Sequence, residues 1–243
     1  MIKMKPDVTM FFPAYNEKEN IPTLIKSAEK VLKQVANKYE ILVIIYEGST
    51  DGTIDVARKI AKGKKSMRVL IQPKDKKGVG YAKIMGFSNA KYPHIFYADS
   101  DNQFDLNEFK KFIPFIDKYD IIAGYRINRQ DPKMRLIVSR IYNALMHMLF
   151  NTHERDLDCG FRLVSKRVIS NITLKCHTGV ATTEILAKAR KNGFKIKEIG
   201  VHHHSRKFGK TVFESRLLNL PKPKVIINLL REIALLYCDL NKK

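Results

Sequence analysis

Hydrophobic residues in the first half of the chain form two alternating kinds of segment. Short continuous apolar runs, typical of buried strands, cover residues 7–14, 39–46, 67–73, 94–98 and 120–126. The segments between them have helical character, with apolar residues every three or four positions in the longest, and cover residues 17–36, 53–62, 80–90 and 105–118. This alternation predicts an α/β fold with a mostly parallel sheet and helices on both faces.

The alternation ends after residue 126. We predict a basic helix over 131–151, a helix over 182–192, a strand over 194–201 and a loop over 202–213. A last amphipathic helix is expected over 217–240, interrupted by Pro221 and Pro223. No internal repeat divides the sequence, so we expect a single domain followed by a helical tail.

Polar motifs follow three of the predicted strands. They are PAYNE (13–17), EGSTDGT (47–53) and DSDNQ (99–103). The carboxyl ends of parallel strands lie at one edge of a sheet, which is where ligands bind in such folds. In the third motif Asp99, Asp101 and Gln103 alternate, and their oxygens suit Mg²⁺ or Mn²⁺ bridging a diphosphate. A plain polar turn is the alternative.

A further glycine motif, KKGVGYAK (76–83), precedes a predicted helix. The N–H groups at the start of that helix, together with Lys77, could meet a phosphate, although an ordinary turn explains the pattern equally well. The sequence has neither GxxxxGK[ST] nor a GxGxxG after the first strand, so it supports neither a P-loop ATPase nor a dinucleotide-binding protein.

Charge narrows the class of partner. Lys and Arg total 45 against 24 Asp and Glu, a net charge of +21. This charge indicates an anionic partner, which could be nucleic acid, a membrane surface or a phosphorylated substrate. The alternative is that the lysine-rich composition serves only solubility. We disfavour nucleic acid because no binding motif is present. Three cysteines without zinc spacing, and no signal or membrane-spanning segment, predict a cytosolic protein.

Eight motifs together resemble family 2 glycosyltransferases with the Rossmann-like GT-A fold. In chain order they are PAYNEKENI, EGSTDGT, GVGYAKIMGF, ADSDNQFD, GYRINR, SRIYN, DCGFRL and HHHSRKFGKT. Their order and spacing are most similar to the dolichyl-phosphate mannose synthase and polyprenyl-phosphate glucose branch. The resemblance implies a catalytic domain over 1–213, with a nucleotide-sugar half (1–126) and an acceptor half (127–213), and a tail over 214–243.

The resemblance also implies roles for individual residues. The nucleotide-sugar would be held by Pro13, Ala14, Tyr15, Glu17, Glu47, Lys77, Gly78, Asp99 and Ser100. A divalent Mg²⁺ or Mn²⁺ would bind Asp99, Asp101 and Gln103. The acceptor phosphate would meet Arg126, Arg140, Arg206 and Lys210, and we expect Asp101, Arg126 and Arg140 to be catalytic.

The acceptor implied is a polyprenyl or dolichyl phosphate, and transfer would invert the anomeric centre. A phosphate monoester needs no general base, since it is a dianion near neutral pH. A sugar or glycan hydroxyl acceptor, the alternative, would need one, and Glu184 and Asp158 are the candidates. A nonenzymatic membrane adaptor is a further alternative.

One motif departs from the family pattern. The usual DDGSTDGT reads YEGSTDGT here, with Tyr46 in place of an acid and Glu47 in place of Asp. The donor therefore stays open among GDP-mannose, UDP-glucose and a UDP-amino sugar. The apolar stripe of the tail helix suggests peripheral contact with the cytoplasmic face of a membrane. Packing on the domain or in a homodimer is the alternative.

Overall fold

The computed structural model describes residues 5–129, 133–209 and 223–242. Its strands are β1 (Val8–Ala14), β2 (Tyr39–Tyr46), β3 (Met67–Gln72), β4 (His94–Ala98), β5 (Ile121–Ile127), β6 (Phe161–Ser165) and β7 (Ile196–His202). Its α-helices are α1 (Ile21–Val35), α2 (Thr53–Ala61), α3 (Val79–Asn89), α4 (Lys133–Phe150), α5 (Lys166–Asn171), α6 (Val180–Lys191) and α7 (Pro223–Asn241).

In the described residues these strands form one sheet of order β3-β2-β1-β4-β6-β5-β7. Neighbours are parallel except that β6 runs antiparallel to both β4 and β5. The α/β class and the mostly parallel sheet are therefore confirmed. The chain moves outward from β1 to β3 and then returns to place β4 on the other side of β1. This reversal opens a crevice at the carboxyl ends of β1 and β4, where such sheets bind ligands.

The core lies on both faces of the sheet because side chains alternate along each strand. Met10 and Phe12 pack on one face with α1, whereas Phe11 packs on the other with α3. Helix α1 buries one stripe, as its periodicity predicted. Helices α4, α6 and α7 cover the second face, so the tail helix packs against the same core as the rest of the sheet.

The predicted helix over 105–118 is wrong. The segment forms two 3₁₀ helices instead, Leu106–Lys111 and Ile113–Phe115. Pro114 has no N–H and cannot complete an α-helical hydrogen bond, and Phe112 and Phe115 each donate to the residue three before. The expected cap is present, since Asp105 accepts the Asn107 N–H at 2.9 Å.

The tail prediction lies partly outside the described residues. Residues 217–222 are not described, and α7 begins at Pro223, where a missing N–H costs a helix nothing. In the described part of the chain, no helix is long and apolar enough to cross a membrane. The proposed boundary at 213/214 also lies outside the described residues and stays a prediction.

Candidate active site

The crevice is built by two loops that are bonded to each other. Strand β1 ends in Pro13 and Ala14, Tyr15 and Glu17 lie in the loop that follows it, and the loop after β4 begins at Asp99. Ser100 Oγ donates to the Pro13 carbonyl at 2.7 Å, and Asn102 Nδ2 donates to the Asn20 carbonyl at 2.9 Å. Two predicted donor-binding segments are therefore brought together as the sequence indicated.

Asp99 and Asp101 form a carboxylate pair in this crevice. The Asp99 N–H donates to the Gly160 carbonyl at 3.0 Å, which fixes the end of β4 against β6. A Cβ atom at Gly160 would lie within 3.0 Å of the Asp99 carboxylate, so the glycine leaves the space that this carboxylate fills. Burial, and then the neighbouring Asp101 charge, raises the pKa of Asp99. Burial also raises the pKa of Asp101.

This pair fits a hard divalent cation. Two close carboxylates repel each other, and a cation between them removes that repulsion. The Gln103 N–H donates to Asp101 at 3.1 Å, and Gln103 Nε2 donates to the His204 carbonyl at 2.8 Å. Only the side-chain oxygen of Gln103 is then left as a ligand. Three or more acidic, His or Cys ligands converge nowhere in the described ranges, so substrate oxygens would complete the coordination.

Arg206 lies over the crevice from the loop after β7. Its guanidinium pairs with Glu17 and lies 3.5 Å from Asp101 Oδ2. Burial raises the pKa of Glu17, while Asn20 and Arg206 oppose that rise. The loop is anchored by the Gln103 bonds, because the His204 N–H donates back to the Gln103 carbonyl at 2.8 Å. Lys210, the other predicted basic residue of this loop, lies outside the described residues.

The two residues that depart from the family pattern lie on the outer side of the crevice. The Tyr46 and Tyr15 rings are 5.7 Å apart, and Lys77 Nζ lies 5.9 Å from the centre of the Tyr46 ring. Tyr46 donates to the Lys74 carbonyl at 3.1 Å, and Glu47 accepts the Lys74 N–H at 3.2 Å. Both side chains therefore form part of one wall of the crevice. Their contacts with the nucleobase of a donor stay a prediction.

The glycine turn before α3 is closely packed on a distant segment. Gly78 has a φ of 141°, which few other residues adopt. The Gly80 N–H donates to the His177 carbonyl at 2.9 Å. That N–H is therefore not open to a phosphate, which corrects part of the expectation for this helix start. Lys77 is exposed beside the turn.

The acceptor-side arginines differ in their surroundings. Arg126 makes a two-pronged ion pair with Asp156, through Nε at 2.6 Å and Nη2 at 2.7 Å. In α4 it is Arg135 that acts electrostatically on Asp99 and Asp101. Arg140, the predicted residue, has an exposed side chain five positions further on. Its contact with an acceptor phosphate stays a prediction.

The two candidate bases have opposite environments. Glu184 is fully buried, and its carboxylate accepts the N–H groups of Lys175 and Cys176 and pairs with Lys188 at 2.7 Å. It is therefore a structural residue and not a base. The Asp158 side chain is exposed, but desolvation of its carboxyl by the protein around it raises its pKa to about 6, against the lowering influence of Arg126. An accessible carboxylate with that pKa suits general-base chemistry.

Comparison with known families decides the class of protein. Residues 9–173 match the family described as Glycosyl transferase family 2. The chain belongs to this family. The match spans the crevice, the carboxylate pair and Asp158, so the sequence resemblance to a glycosyltransferase is confirmed at the level of the family. The polyprenyl-phosphate branch is a finer assignment and is treated below as a proposal.

Solved structures support the fold of this glycosyltransferase. Glucosyl-3-phosphoglycerate synthase from Mycobacterium tuberculosis, in complex with Mn²⁺, UDP and phosphoglyceric acid, matches with a TM-score of 0.68 and 17% identity. The match covers 94% of this chain and 78% of that one. A complex of the same enzyme with Mg²⁺ and UDP gives 0.68 and 17%, over 94% and 80% of the two chains. At this identity the likeness establishes the GT-A architecture.

Sequence reasoning missed a buried cationic cluster in the glycosyltransferase. Lys83 is buried behind Asp99 and donates to the Thr182 hydroxyl, and burial lowers its pKa to about 8. Arg162 is also buried and donates to the carbonyls of Thr182 at 3.0 Å and Leu157 at 3.3 Å. Periodicity places Lys83 on a helix but does not say which face packs inward. Two features of the sequence could have indicated this cluster, namely the arginine between apolar residues in DCGFRL and the lysine within an otherwise apolar helix.

Proposed function

We propose that this glycosyltransferase moves a hexose from a nucleotide-sugar to the phosphate of a polyprenyl lipid, with inversion. The observation that carries the proposal is the placement of α4. One of its side chains, Arg135, acts on the carboxylate pair, while Met134, Ile137, Ile141 and Met148 form an exposed apolar stripe. One helix thus presents a positively charged side chain for the acceptor phosphate and an apolar surface for the polyprenyl chain attached to that phosphate.

The donor half of the mechanism follows from charge. A divalent cation bound by Asp99 and Asp101 would stabilise the negative charge that develops on the leaving diphosphate. Gln103 would add its oxygen to the same cation. Arg206 would leave its contacts with Glu17 and Asp101 to meet the diphosphate, because phosphate oxygens offer a guanidinium a stronger bidentate partner. Tyr15 and Glu47 would orient the nucleoside at the outer wall.

The acceptor half needs orientation more than proton removal. A phosphate monoester has a second pKa of about 6 and is largely a dianion at neutral pH. Its oxygen attacks the anomeric carbon from the face opposite the leaving diphosphate, which inverts the configuration. Arg135 would hold the phosphate, and Arg126, itself oriented by Asp156, would contribute its remaining N–H donors.

A peripheral membrane position belongs to the same proposal. Helix α7 exposes a second apolar face, formed by Ile226, Ile227, Leu230 and Tyr237, while Ile233 and Leu236 are buried. Interfacial helices bind through such faces, and the charge of +21 would add attraction to anionic lipids. We propose that the protein works at the cytoplasmic face of a membrane, where a polyprenyl phosphate is accessible.

A second candidate is transfer to a hydroxyl of a phosphorylated acceptor. The observation that favours it is Asp158, an exposed carboxylate with a raised pKa close to Arg126. The Mn²⁺ complex named above was solved with phosphoglyceric acid, which carries both a hydroxyl and a phosphate. In this reaction Asp158 would take the hydroxyl proton.

The test offers the purified protein each donor separately, namely GDP-mannose, UDP-glucose and UDP-GlcNAc, with Mg²⁺ or Mn²⁺. Acceptors are a short polyprenyl phosphate and 3-phosphoglycerate, and products are identified by mass spectrometry. We expect a phosphoglycolipid that is lost in Asp101→Ala and retained in Asp158→Asn. Product with 3-phosphoglycerate alone, lost in Asp158→Asn, would replace the proposal with the second candidate.

A matched pair of variants tests the acceptor phosphate. Arg135→Ala and Arg140→Ala remove the same charge from the same helix. We expect Arg135→Ala to raise the KM for polyprenyl phosphate at least about ten-fold, as the loss of a charge-assisted pair predicts, with a smaller change for Arg140→Ala. The reverse ranking would restore Arg140 as the phosphate-binding residue that the sequence resemblance implied.

A further inference from the structure

We propose that Glu232, on the C-terminal helix α7, is a positioning residue for the donor-binding glycine turn at the start of α3. The inference rests on the proposed function, and on the role that the family resemblance implies for Lys77 and Gly78 of this turn as donor contacts. Glu232 lies about 150 positions further along the sequence than the turn and reaches it through one intermediate segment, residues 176–178. Each contact along this path is direct.

The first contact joins α7 to the intermediate segment. The Glu232 carboxylate accepts the backbone N–H groups of His177 at 2.7 Å and Thr178 at 3.0 Å, and also the Thr178 hydroxyl. Three donors from two consecutive residues thus converge on one carboxylate. Hydrogen bonds to a charged acceptor are stronger than those between neutral groups, so the segment has little freedom to move relative to α7.

The second contact joins the segment to the turn. The Gly80 N–H donates to the His177 carbonyl at 2.9 Å, and the His177 and Tyr81 rings stack at 3.7 Å with an angle of 4°. A Cβ atom at Gly78 or at Gly80 would lie within 3.0 Å of backbone atoms of the segment. The turn and the segment therefore touch backbone to backbone, and a shift of one displaces the other.

Holding α7 in place does not require Glu232. Ile233 and Leu236 are buried on the domain, and Asp239 pairs with Lys188 at 2.7 Å and with Lys175. The Glu232 carboxylate instead binds His177, which touches the turn, and the next residue, Thr178. A glutamine at this position would keep the size of the side chain but face three donors with a single acceptor oxygen and an N–H₂ group.

The functional consequence is a selective loss of donor affinity. Without the carboxylate, His177 and Thr178 lose their attachment to α7, while Cys176 keeps its bond to Glu184. The turn that is bonded to His177 must then be ordered when the donor binds. We expect Glu232→Gln to weaken binding of a nucleoside diphosphate with Mn²⁺ about ten-fold, with a matching rise in the KM for donor. The KM for acceptor should stay within about two-fold of the wild-type value, because the acceptor-side arginines lie on other elements.

The experiment measures UDP and GDP binding by calorimetry with Mn²⁺ present, for the wild type, Glu232→Gln and Asp239→Asn. Asp239→Asn is the matched control, since it weakens the attachment of α7 without touching residues 177 and 178. Steady-state KM values for donor and acceptor, and the Tm of each variant, complete the comparison. A Tm loss in Glu232→Gln no greater than that in Asp239→Asn, together with a donor-specific defect, supports the proposal.

Two results would overturn it. Equal donor affinity in Glu232→Gln and the wild type would show that the segment does not position the turn. Equal donor defects in Glu232→Gln and Asp239→Asn would show that only attachment of α7 matters. A wild-type protein that binds neither nucleoside diphosphate would refute the proposed function, and this inference with it, whereas wild-type binding with unaltered Glu232→Gln refutes the inference alone.

Discussion

Replacing Gly160 by alanine tests whether the space beside Asp99 determines metal binding. A Cβ at this position would lie less than 3.0 Å from the atoms of the Asp99 carboxylate, whereas ordinary contact begins at 3.4 Å. The carboxylate must therefore withdraw by more than about 0.4 Å, which exceeds the tolerance of about 0.2 Å in metal–ligand distances. The backbone cannot withdraw in its place, because the Asp99 N–H is bonded to the Gly160 carbonyl at 3.0 Å.

We expect Gly160→Ala to weaken Mn²⁺ binding, in the presence of UDP or GDP, by about 10- to 100-fold. The crowding should also lower the free energy of unfolding by about 1–3 kcal/mol, a fall in Tm of roughly 2–12 °C. Free Mn²⁺ is measured by its electron paramagnetic resonance signal during titration, and Tm is measured by circular dichroism. Initial rates at limiting Mn²⁺ should fall with the affinity.

Gly179→Ala is the matched control. Gly179 precedes α6 with a φ of −58°, and a Cβ atom there would meet nothing within 4 Å. The same chemical change at this site should leave the Mn²⁺ affinity unaltered. If Gly160→Ala binds Mn²⁺ within about two-fold of Gly179→Ala and retains its activity, then Asp99 is not held in place by this glycine and the reasoning fails.

Three more predictions concern charged side chains. Arg206→Ala should raise the KM for donor at least about ten-fold by removing a diphosphate partner, while the Tm changes little; an unaltered donor KM would argue against that role. Glu184→Gln should lower the free energy of unfolding by about 1–3 kcal/mol, because it removes one of the two carboxylates that pair with Lys188 and leaves one acceptor oxygen for the Lys175 and Cys176 N–H groups, and a normal Tm by circular dichroism would contradict this. The hydrogen bond from Lys175, and then that from Lys188, lowers the pKa of Asp239 from 3.8 to about 2. The stability from these pairs is thus present above pH 3.8 and is lost as the pH falls toward 2. In Asp239→Asn the free energy of unfolding, measured by denaturation at a series of pH values, should change less over this range.

Local patterns were sufficient for most of the first half of the fold. Strand β2 and strand β4 begin and end at the predicted residues, because short apolar runs between turn residues have few alternatives. The same patterns located the crevice, since alternating strands and helices place the polar motifs on one edge. They failed over 105–118, where the capping signal of Asp105 was correct but Pro114 favoured 3₁₀ geometry.

Strand β6 shows what local patterns could not supply. Its sequence, FRLVS, is short and contains a charged residue, and we assigned it no structure. It forms a strand because β4 and β5 lie on either side of it, and it buries Arg162 completely because carbonyls of Leu157 and Thr182 accept its N–H groups. Such pairing depends on residues distant in the sequence, which no periodicity reports.

The sequence by itself determined the α/β class, the family and the identity of the paired carboxylates, because these depend on residue types at short spacing. The tertiary structure decided which charges act together. It placed Arg135 close enough to Asp99 for their charges to interact, paired Arg126 with Asp156, and showed that Glu184 has a structural role. Electrostatic partners are set by distances of a few ångströms and by burial, and both arise only when the sheet and its helices have packed.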